Sequence, residues 1–326
     1  MLKKVDNTLP GRFAIILQPG FSLLTLGSLT QVLHKARTRG ASADTGFTLH
    51  AENPPDISST CGTILTGLQG LDELATGAAI ALIGADFRHD SVSDRLIARL
   101  RRAARFSPLM IGFHGGIHAL AKAGLLDGFR VAAHWSHIDS LRECFPLVEW
   151  TEDLYRLDRN RMTCAGEGAT HDAMIGLMAA HLGEEAAASI SDDLISHPIR
   201  AGCWSQRSSL ATRTGTRHPK LLEAIRLSEE SIESPIGVMD LAARVGLSRR
   251  QVERLFRMHL GQSPVRFREA MQLEKARELL IYSDLGISEV AVACGFRCTA
   301  RLSRAYARRF FKLPSQERGV LVIQMA

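Results

Sequence analysis

Short apolar runs alternate with amphipathic stretches through the first half of this 326-residue chain. Residues 13–18, FAIILQ, form an apolar run that stops at Pro19-Gly20, as a buried strand does. Residues 23–37 repeat apolar positions at helical spacing, and 47–50 read as a second strand. A third apolar run, 79–83, stops at Gly84, and 91–106 read as a helix with arginines along one face. Residues 109–113 form another strand that runs straight into His114-Gly115-Gly116 and a helix over 117–123. This rhythm predicts a doubly wound, flavodoxin-like α/β domain with a mainly parallel sheet and helices on both faces. Ligands of such sheets sit at the carboxyl ends of the strands.

The last hundred residues carry one helical pattern twice. VMDLAARVGLSRRQVERLFRMHLG, 238–261, returns as ISEVAVACGFRCTARLSRAYARRFF, 287–311. Leu241, Ala242, Gly246 and Leu247 recur 49 residues later as Val290, Ala291, Gly295 and Phe296; beyond the turn the offset is 50, so the second copy holds one extra residue near the start of its second helix. In each copy a small residue lets two helices approach, a glycine supplies the positive φ that ends the first helix, and apolar residues at helical spacing bury one face. Two helix-turn-helix units are predicted, joined by a helix over 264–282 whose apolar positions are Phe267, Met271, Leu273, Ala276, Leu279 and Leu280. The expected all-α domain spans 220–319. A rigid connector of that kind lets two recognition helices enter successive major grooves about 34 Å apart.

The outer faces of the second helices carry the chemistry. With Val252, Leu255 and Phe256 inward, the first copy exposes Arg249, Arg250, Glu253, Arg254 and Arg257. With Leu302, Ala305 and Tyr306 inward, the second exposes Thr299, Arg301, Ser303, Arg304 and Arg308. Arginine binds phosphate as a charge and guanine as a bidentate fork, which is what a recognition helix needs. An ordinary helical domain with a solvated basic face explains one copy as well as DNA does; two copies favour double-stranded DNA.

Charge sharpens this division. Residues 1–196 hold 18 Lys+Arg against 22 Asp+Glu, a net of −4, whereas 197–326 hold 22 against 12, a net of +10. A mildly acidic front and a basic back fit a sensor joined to a polyanion binder. Residues 196–219 contain four arginines and no acids among many Ser, Thr and Gly, and read as a loosely packed basic linker between a 1–195 sensor and the reader. The N-terminus lacks the apolar core of a signal peptide, and no run approaches the roughly 18 apolar residues of a membrane span. The six cysteines are scattered without metal-type pairing, so reduced thiols, no metal, no cofactor and a cytoplasmic setting are expected.

The strand-turn-helix around His114 resembles a nucleophile elbow, a turn that lifts one side chain above the sheet. A Ser or Cys nucleophile is missing from it, and nothing in the sequence places Cys164 or Cys61 there, so binding is favoured over catalysis. His114 and Gly115 lie where a helix N-terminus offers amides to a carboxylate. Trp135, after His134 in what reads as the next strand, is placed to stack on a cation or to plug the core. Glu167 is an amine partner or a solvated loop residue. His118 and His171 read as structural.

Together these segments are similar to the AraC-type transcription regulators whose sensor resembles the class I glutamine amidotransferase/PfpI fold. The sensor likeness is carried by LQPGF (17–21), AKAGLLDG (121–128), AHW (133–135), FPLVEWTEDLYRLDRNRMTCAG (145–166) and SDDLISHPIR (191–200); the reader likeness spans 221–318. Relatives of this type include activators of arginine, carnitine and glycine-betaine catabolism. The resemblance implies base reading by Arg250, Glu253 and Arg254 in the first helix and Thr299, Ser303 and Arg304 in the second. Ser248, Arg257, Arg301 and Arg308 are better placed for phosphates. It also implies an amino acid or quaternary amine effector, a homodimer, and RNA polymerase as partner of an activator. Three departures matter: His114 replaces the elbow cysteine of the enzymes, Thr30 stands where their first-helix glutamate is expected, and Glu167 replaces a second glycine after 163–166. A sensor kept for binding is therefore expected, against the alternatives of an amidase or hydrolase with a DNA-binding tail and of a nucleoid-type structural DNA binder.

Overall fold

The computed structural model describes residues 9–39, 41, 45–85, 92–207, 209–283 and 285–317. The first eight residues of the segment read for a signal peptide, the predicted start of a helix at Ser91 and the last two residues of the expected reader lie outside these. The chain divides into two compact units, Met1–Gln206 and Arg207–Ala326.

The first unit runs β1 (Arg12–Leu17), α1 (Leu23–Ala36), β2 (Gly46–Ala51), β3 (Ile57–Ser58), β4 (Ile64–Leu65), β5 (Gln69–Gly70), β6 (Ala79–Gly84), α2 (Asp94–Ala104), β7 (Met110–His114) and α3 (Gly115–Lys122). It continues through β8 (Arg130–Ala132), α4 (Ile138–Cys144), β9 (Glu149–Thr151), β10 (Tyr155–Asp158), β11 (Arg161–Cys164), α5 (Thr170–Leu182) and α6 (Glu184–Asp193). Seven strands form one sheet in the order β10-β11-β7-β6-β1-β2-β5, parallel except for the β10–β11 hairpin. The central strands are buried on both faces, which is why they read as continuous apolar runs. Phe13, Ile15 and Leu17 of β1, with Ala79, Ala81 and Ile83 of β6, share a core with Leu29, Val32 and Leu33 of α1 and with Ala173, Met174 and Leu177 of α5. On the opposite face α3 lies against β6 and β7, with Leu120 and Ile117 near Gly112. This is the predicted doubly wound, mainly parallel architecture.

The second unit runs α7 (Leu210–Thr214), α8 (Pro219–Glu230), α9 (Val238–Arg244), α10 (Arg249–Leu260), α11 (Pro264–Tyr282), α12 (Ile287–Ala293), α13 (Thr299–Phe310) and α14 (Pro314–Glu317). Leu221, Ile225, Leu241, Ala242, Val252 and Phe256 form one core; Leu273, Ala276, Leu280, Val290, Ala291, Leu302 and Tyr306 form a second. The connector α11 serves both. Near its start Phe267 meets Phe256 edge-to-face at 5.5 Å, and its later turns enter the second core. Helices α9 and α12 are offset by 49 residues and α10 and α13 by 50, as the sequence repeat requires, and the extra residue falls in the turn before α13. Gly246 and Gly295 both take positive φ, +67° and +69°.

Residues 196–206 differ from expectation. They pack onto the first unit rather than loosely, because their polar groups find partners there. The Gly202 carbonyl accepts from Leu154 N at 2.7 Å, Ser205 bridges Asp153, and Arg200 grips the buried Asp172. The later part of the expected linker forms α7, whose Leu210 packs against the first reader core and whose Arg213 pairs with Glu229 at 3.3 Å.

Candidate functional site

The sensor site is built at the carboxyl ends of β6, β7 and β11. Strand β7 ends at His114, held at φ 50° and ψ −122°, and α3 begins at the next residue. The crossing is tight: a Cβ on Gly115 would sit 1.6 Å from the Ala85 carbonyl oxygen, and one on Gly84 would sit 2.5 Å from the backbone of Gly115 and Gly116. Glycine at these positions lets α3 start directly above β6, and His114 takes the strained corner. Gly115 is fully engaged in that packing and does not line the cavity beside it.

That cavity has a volume of about 360 Å³ and is walled by His114, His134, Trp135, Glu167, Arg200 and Gln206 together with apolar Leu154, Ala165 and Ala169. Three of the four residues singled out in the sequence, His114, Trp135 and Glu167, therefore meet in one place. Trp135 is not on a strand: β8 ends at Ala132, and Trp135 opens a short 3-10 turn, Trp135–His137, which lets its half-buried ring lie beside His134 with centroids 5.4 Å apart. Glu167 lies in another such turn, Glu167–Ala169, ahead of α5. Thr30 takes no part, since its hydroxyl donates to the Leu26 carbonyl of its own helix at 2.8 Å. Its helix neighbour Thr25 is the buried one, and it reaches Thr170 at 3.5 Å.

Three imidazoles cluster beside the cavity, and two of them, His114 and His134, line it. The His114 ring lies 6.3 Å from that of His134 and 6.5 Å from that of His137, and the latter two are 5.5 Å apart. Burial, followed by the neighbouring His134, His114 and His118, pushes the His137 pKa down to about 3, so this ring stays neutral. Among the described residues no group of His, Cys, Asp and Glu is arranged to hold a metal ion. Cys164 is fully buried and its thiol is pushed up to about 12 by burial, the opposite of an activated nucleophile. Arg200 and Gln206 were missed as site residues. Arg200 lies in the SDDLISHPIR segment and could have been weighed; Gln206 carries no local signal.

The reader presents two matching faces. Val252, Leu255 and Phe256 point inward from α10, and Leu302, Ala305 and Tyr306 from α13, while Arg249, Arg250, Arg254 and Arg257, and Thr299, Arg301, Arg304 and Arg308, are exposed. Glu253 and Ser303 are half-buried at corresponding places. Ser248 accepts from Gln251 N at 3.3 Å and caps α10, so its hydroxyl serves the helix start. Glu253 is paired with Arg249 at 2.8 Å, which lowers its pKa, and Arg308 is tied to Glu269 of α11 at 2.9 Å. Among the described residues Arg250, Arg254 and Arg257 make no salt bridge, leaving three guanidinium groups on one face of α10. A groove of about 270 Å³ beside the second turn is lined by Arg268, Arg297 and Arg301. Burial and the nearby Arg301 lower the pKa of Arg268, which donates to the Ile236 carbonyl at 2.6 Å. Neither Arg268 nor Arg297 stood out in the sequence, because the first lies on the connector and the second is the inserted turn residue.

The class this defines is a two-part regulator: an amidotransferase-like α/β sensor unit with a non-nucleophilic elbow, followed by a bipartite helix-turn-helix DNA reader. A family model described as a helix-turn-helix domain matches residues 241–319. The chain is 35% identical to the HTH-type transcriptional regulator CdhR of Pseudomonas aeruginosa over 96% of this chain and 93% of that one. It is 34% identical to the regulator ArgR of the same organism over 95% of this chain and 93% of that one. The sensor fold is shared with a ThiJ/PfpI family protein from Pseudomonas syringae (TM-score 0.52, 19% identity, 70% of this chain and 90% of that one). The chain belongs to the AraC family of helix-turn-helix transcriptional regulators, and its N-terminal unit has a ThiJ/PfpI-like fold. Its full-length relatives are transcriptional regulators, not enzymes. Among the described residues no helix is long and apolar enough to cross a membrane.

Proposed function

We propose that this regulator is an activator switched by a small zwitterion of the amino acid or quaternary amine type, bound in the sensor cavity. The cavity carries the reading: it sets the Arg200 guanidinium, the Glu167 carboxylate and the Trp135 ring around about 360 Å³. A guanidinium takes a carboxylate, an aromatic face takes a quaternary ammonium, and a carboxylate takes an amine. The volume suits a molecule of amino-acid size. His114 supplies a polar floor, and the glycines after it at the start of α3 pack closely against Leu82 and Ala85. On the DNA side, Arg250, Glu253 and Arg254 with Thr299, Ser303 and Arg304 read bases. Arg257, Arg301 and Arg308, with Ser248 at the helix start, hold the backbone, while Arg249 is held by Glu253. The regulator acts as a homodimer on paired half-sites and recruits RNA polymerase.

The test is thermal unfolding of the full chain with glycine betaine, L-carnitine and L-arginine, followed by footprinting with any compound that stabilises it. A ligand at a hundred times its Kd adds about 2.7 kcal/mol, which is readily visible. Stabilisation by one of these zwitterions that is lost in Glu167→Gln or Trp135→Ala, together with a changed operator footprint, is expected. Stabilisation by none of them, with transcription indifferent to all, would refute the effector class.

A further inference from the structure

The segment by which the chain leaves the sensor is itself a wall of the cavity. Residues 196–206 return across the strand ends after α6, and two of them, Arg200 and Gln206, line the pocket. The strap is held at two points. At the first, Arg200 donates through its backbone N, Nε and Nη2 to the Asp172 carboxylate at 2.8, 3.0 and 2.6 Å, and through Nη2 to the Gly168 carbonyl at 2.6 Å. Asp172 is 5% exposed and lies in the first turn of α5, immediately after the Glu167–Ala169 turn that forms the opposite rim. At the second, the Gln206 side chain accepts from Trp135 N at 2.8 Å and donates to the carbonyls of Ala133 at 2.7 Å and Asp153 at 2.8 Å. One amide thus ties the strap to the backbone of the very residue whose ring faces the cavity. The next residue, Arg207, begins the second compact unit.

We infer that Gln206 is the latch through which occupancy of the cavity is passed to the reader. This rests on the effector reading of the cavity. The carboxylate of a bound zwitterion meets Arg200 on the Nη1 side, which the bonds to Asp172 and Gly168 leave unused. Its cationic end meets Trp135. Both contacts bear on the strap, one directly and one through the Trp135 amide that Gln206 holds. Ligand that settles Trp135 favours the latched arrangement of these three bonds; without it that arrangement exchanges with a released one in which Gln206 gives them to water. The register of residue 207, and so the start of the reader's chain, follows the latch. Coupling requires a difference in contact between the two states, and three hydrogen bonds made by one side chain at the covalent exit provide it.

The experiment uses the full chain, wild type and Gln206→Ala, with Gln206→Glu as a second variant that keeps the acceptor for Trp135 N and loses both donated bonds. Folding is checked by tryptophan fluorescence on thermal unfolding. DNase I protection of the operator is measured with and without glycine betaine, L-carnitine and L-arginine, and binding of the same compounds by calorimetry. The expected result is that, with each protein saturated by the compound as calorimetry shows, the ligand-dependent change in operator affinity of Gln206→Ala falls at least about fivefold below that of wild type, out of the 5–150-fold range usual for such coupling. Ligand-free protection should also shift in both variants toward a common pattern. A Gln206→Ala protein that binds and responds as wild type does overturns the latch. If wild type binds none of the three compounds, the effector reading fails instead, and the ligand-free comparison still decides: an operator affinity identical among wild type and the two variants overturns the latch as well.

Discussion

Replacing Gly295 by alanine should unfold the reader far more readily than the same change at Gly246, although the two glycines occupy corresponding turns. Both hold positive φ, +69° and +67°, and alanine in the left-handed region costs about 1–2 kcal/mol at either site. The surroundings differ. A Cβ on Gly295 would lie 2.4 Å from the Ile232 carbonyl oxygen, 2.8 Å from Pro235 Cγ and 2.9 Å from Gln272 Nε2, whereas one on Gly246 meets nothing closer than Lys220 Nζ at 3.6 Å. The contacts at Gly295 are a backbone carbonyl, a proline ring and a buried amide that donates to the Cys294 carbonyl at 2.8 Å, and none can swing away. Overpacking of this kind adds about 1–3 kcal/mol. Gly295→Ala should therefore cost about 2–5 kcal/mol and Gly246→Ala about 1–2 kcal/mol. The three tryptophans, Trp135, Trp150 and Trp204, all lie in the first unit, so their fluorescence follows the sensor while far-ultraviolet circular dichroism follows both units. Gly295→Ala should lower the transition seen by circular dichroism alone by at least about 4 °C beyond Gly246→Ala and leave the fluorescence transition in place. Equal losses in the two variants would show that the second turn is not docked on the 232–235 loop, and the reasoning would fall.

Other perturbations follow from the same geometry. Arg254→Ala should weaken operator binding by about 1–3 kcal/mol and relax the sequence preference, whereas Arg301→Ala should weaken binding to all sequences alike and reduce the slope of log K against log salt by about 0.9; an unchanged footprint and affinity in Arg254→Ala counts against base reading there. Glu317 is 4% exposed and pairs with Lys312 at 2.7 Å and Arg277 at 3.1 Å. Burial alone would raise its pKa, but the Lys312 ammonium, the Tyr306 hydroxyl and the Arg277 guanidinium beside it outweigh that and hold the pKa below the usual 4.5. A depressed carboxylate stabilises the fold above its unfolded pKa and loses that contribution as pH falls through the folded value. The circular dichroism transition of wild type should thus drop below about pH 4.5, and Glu317→Gln should remove that part of the dependence. Cys298 is the N-cap of α13 without a side-chain bond, where Ser248 caps α10; Cys298→Ser should raise reader stability by about 0.5–1 kcal/mol in the same assay.

What the sequence disclosed followed from period and from glycine. Strands buried on both faces appear as apolar runs, so β1, β6 and β7 were placed to within a residue, and the 49-residue repeat located α9 and α12. The corner at His114 was legible because strand, glycines and helix are contiguous in the chain. The strap was not, because its composition of Arg, Ser, Thr and Gly matches a free linker. Only the fold brings Arg200 to Asp172 and Gln206 to Ala133, 28 and 73 residues away. Trp135 was read as following His134 in the next strand, yet β8 ends at Ala132, whose N donates to the Thr163 hydroxyl at 2.9 Å. Phe311 takes the left-handed place that Gly261 holds in the first copy, at φ 57°, and a phenylalanine gives no hint of that.

The two recognition helices are not equivalent in charge, and the structure locates the difference in Glu253. A carboxylate on that face has two uses open to it, accepting from a cytosine or orienting an arginine. In the unbound chain it is spent on Arg249 at 2.8 Å, so the first helix meets DNA with one of its arginines neutralised, while Ser303 at the corresponding place neutralises nothing. Removing the charge by Glu253→Gln leaves the α10 backbone untouched and frees Arg249 for a phosphate. Each added phosphate contact steepens the salt dependence by about 0.9 in log K against log salt, so binding to random-sequence DNA should strengthen at low salt and fall off more steeply. Under the proposed base reading by Glu253, binding to the operator should gain less, and the ratio of specific to non-specific affinity should decline. An unaltered salt slope would mean that Arg249 reaches phosphate despite its partner; a preserved ratio would mean that Glu253 reads no base. Titrations of operator and random DNA at three salt concentrations separate these outcomes and decide whether discrimination is concentrated in the first helix.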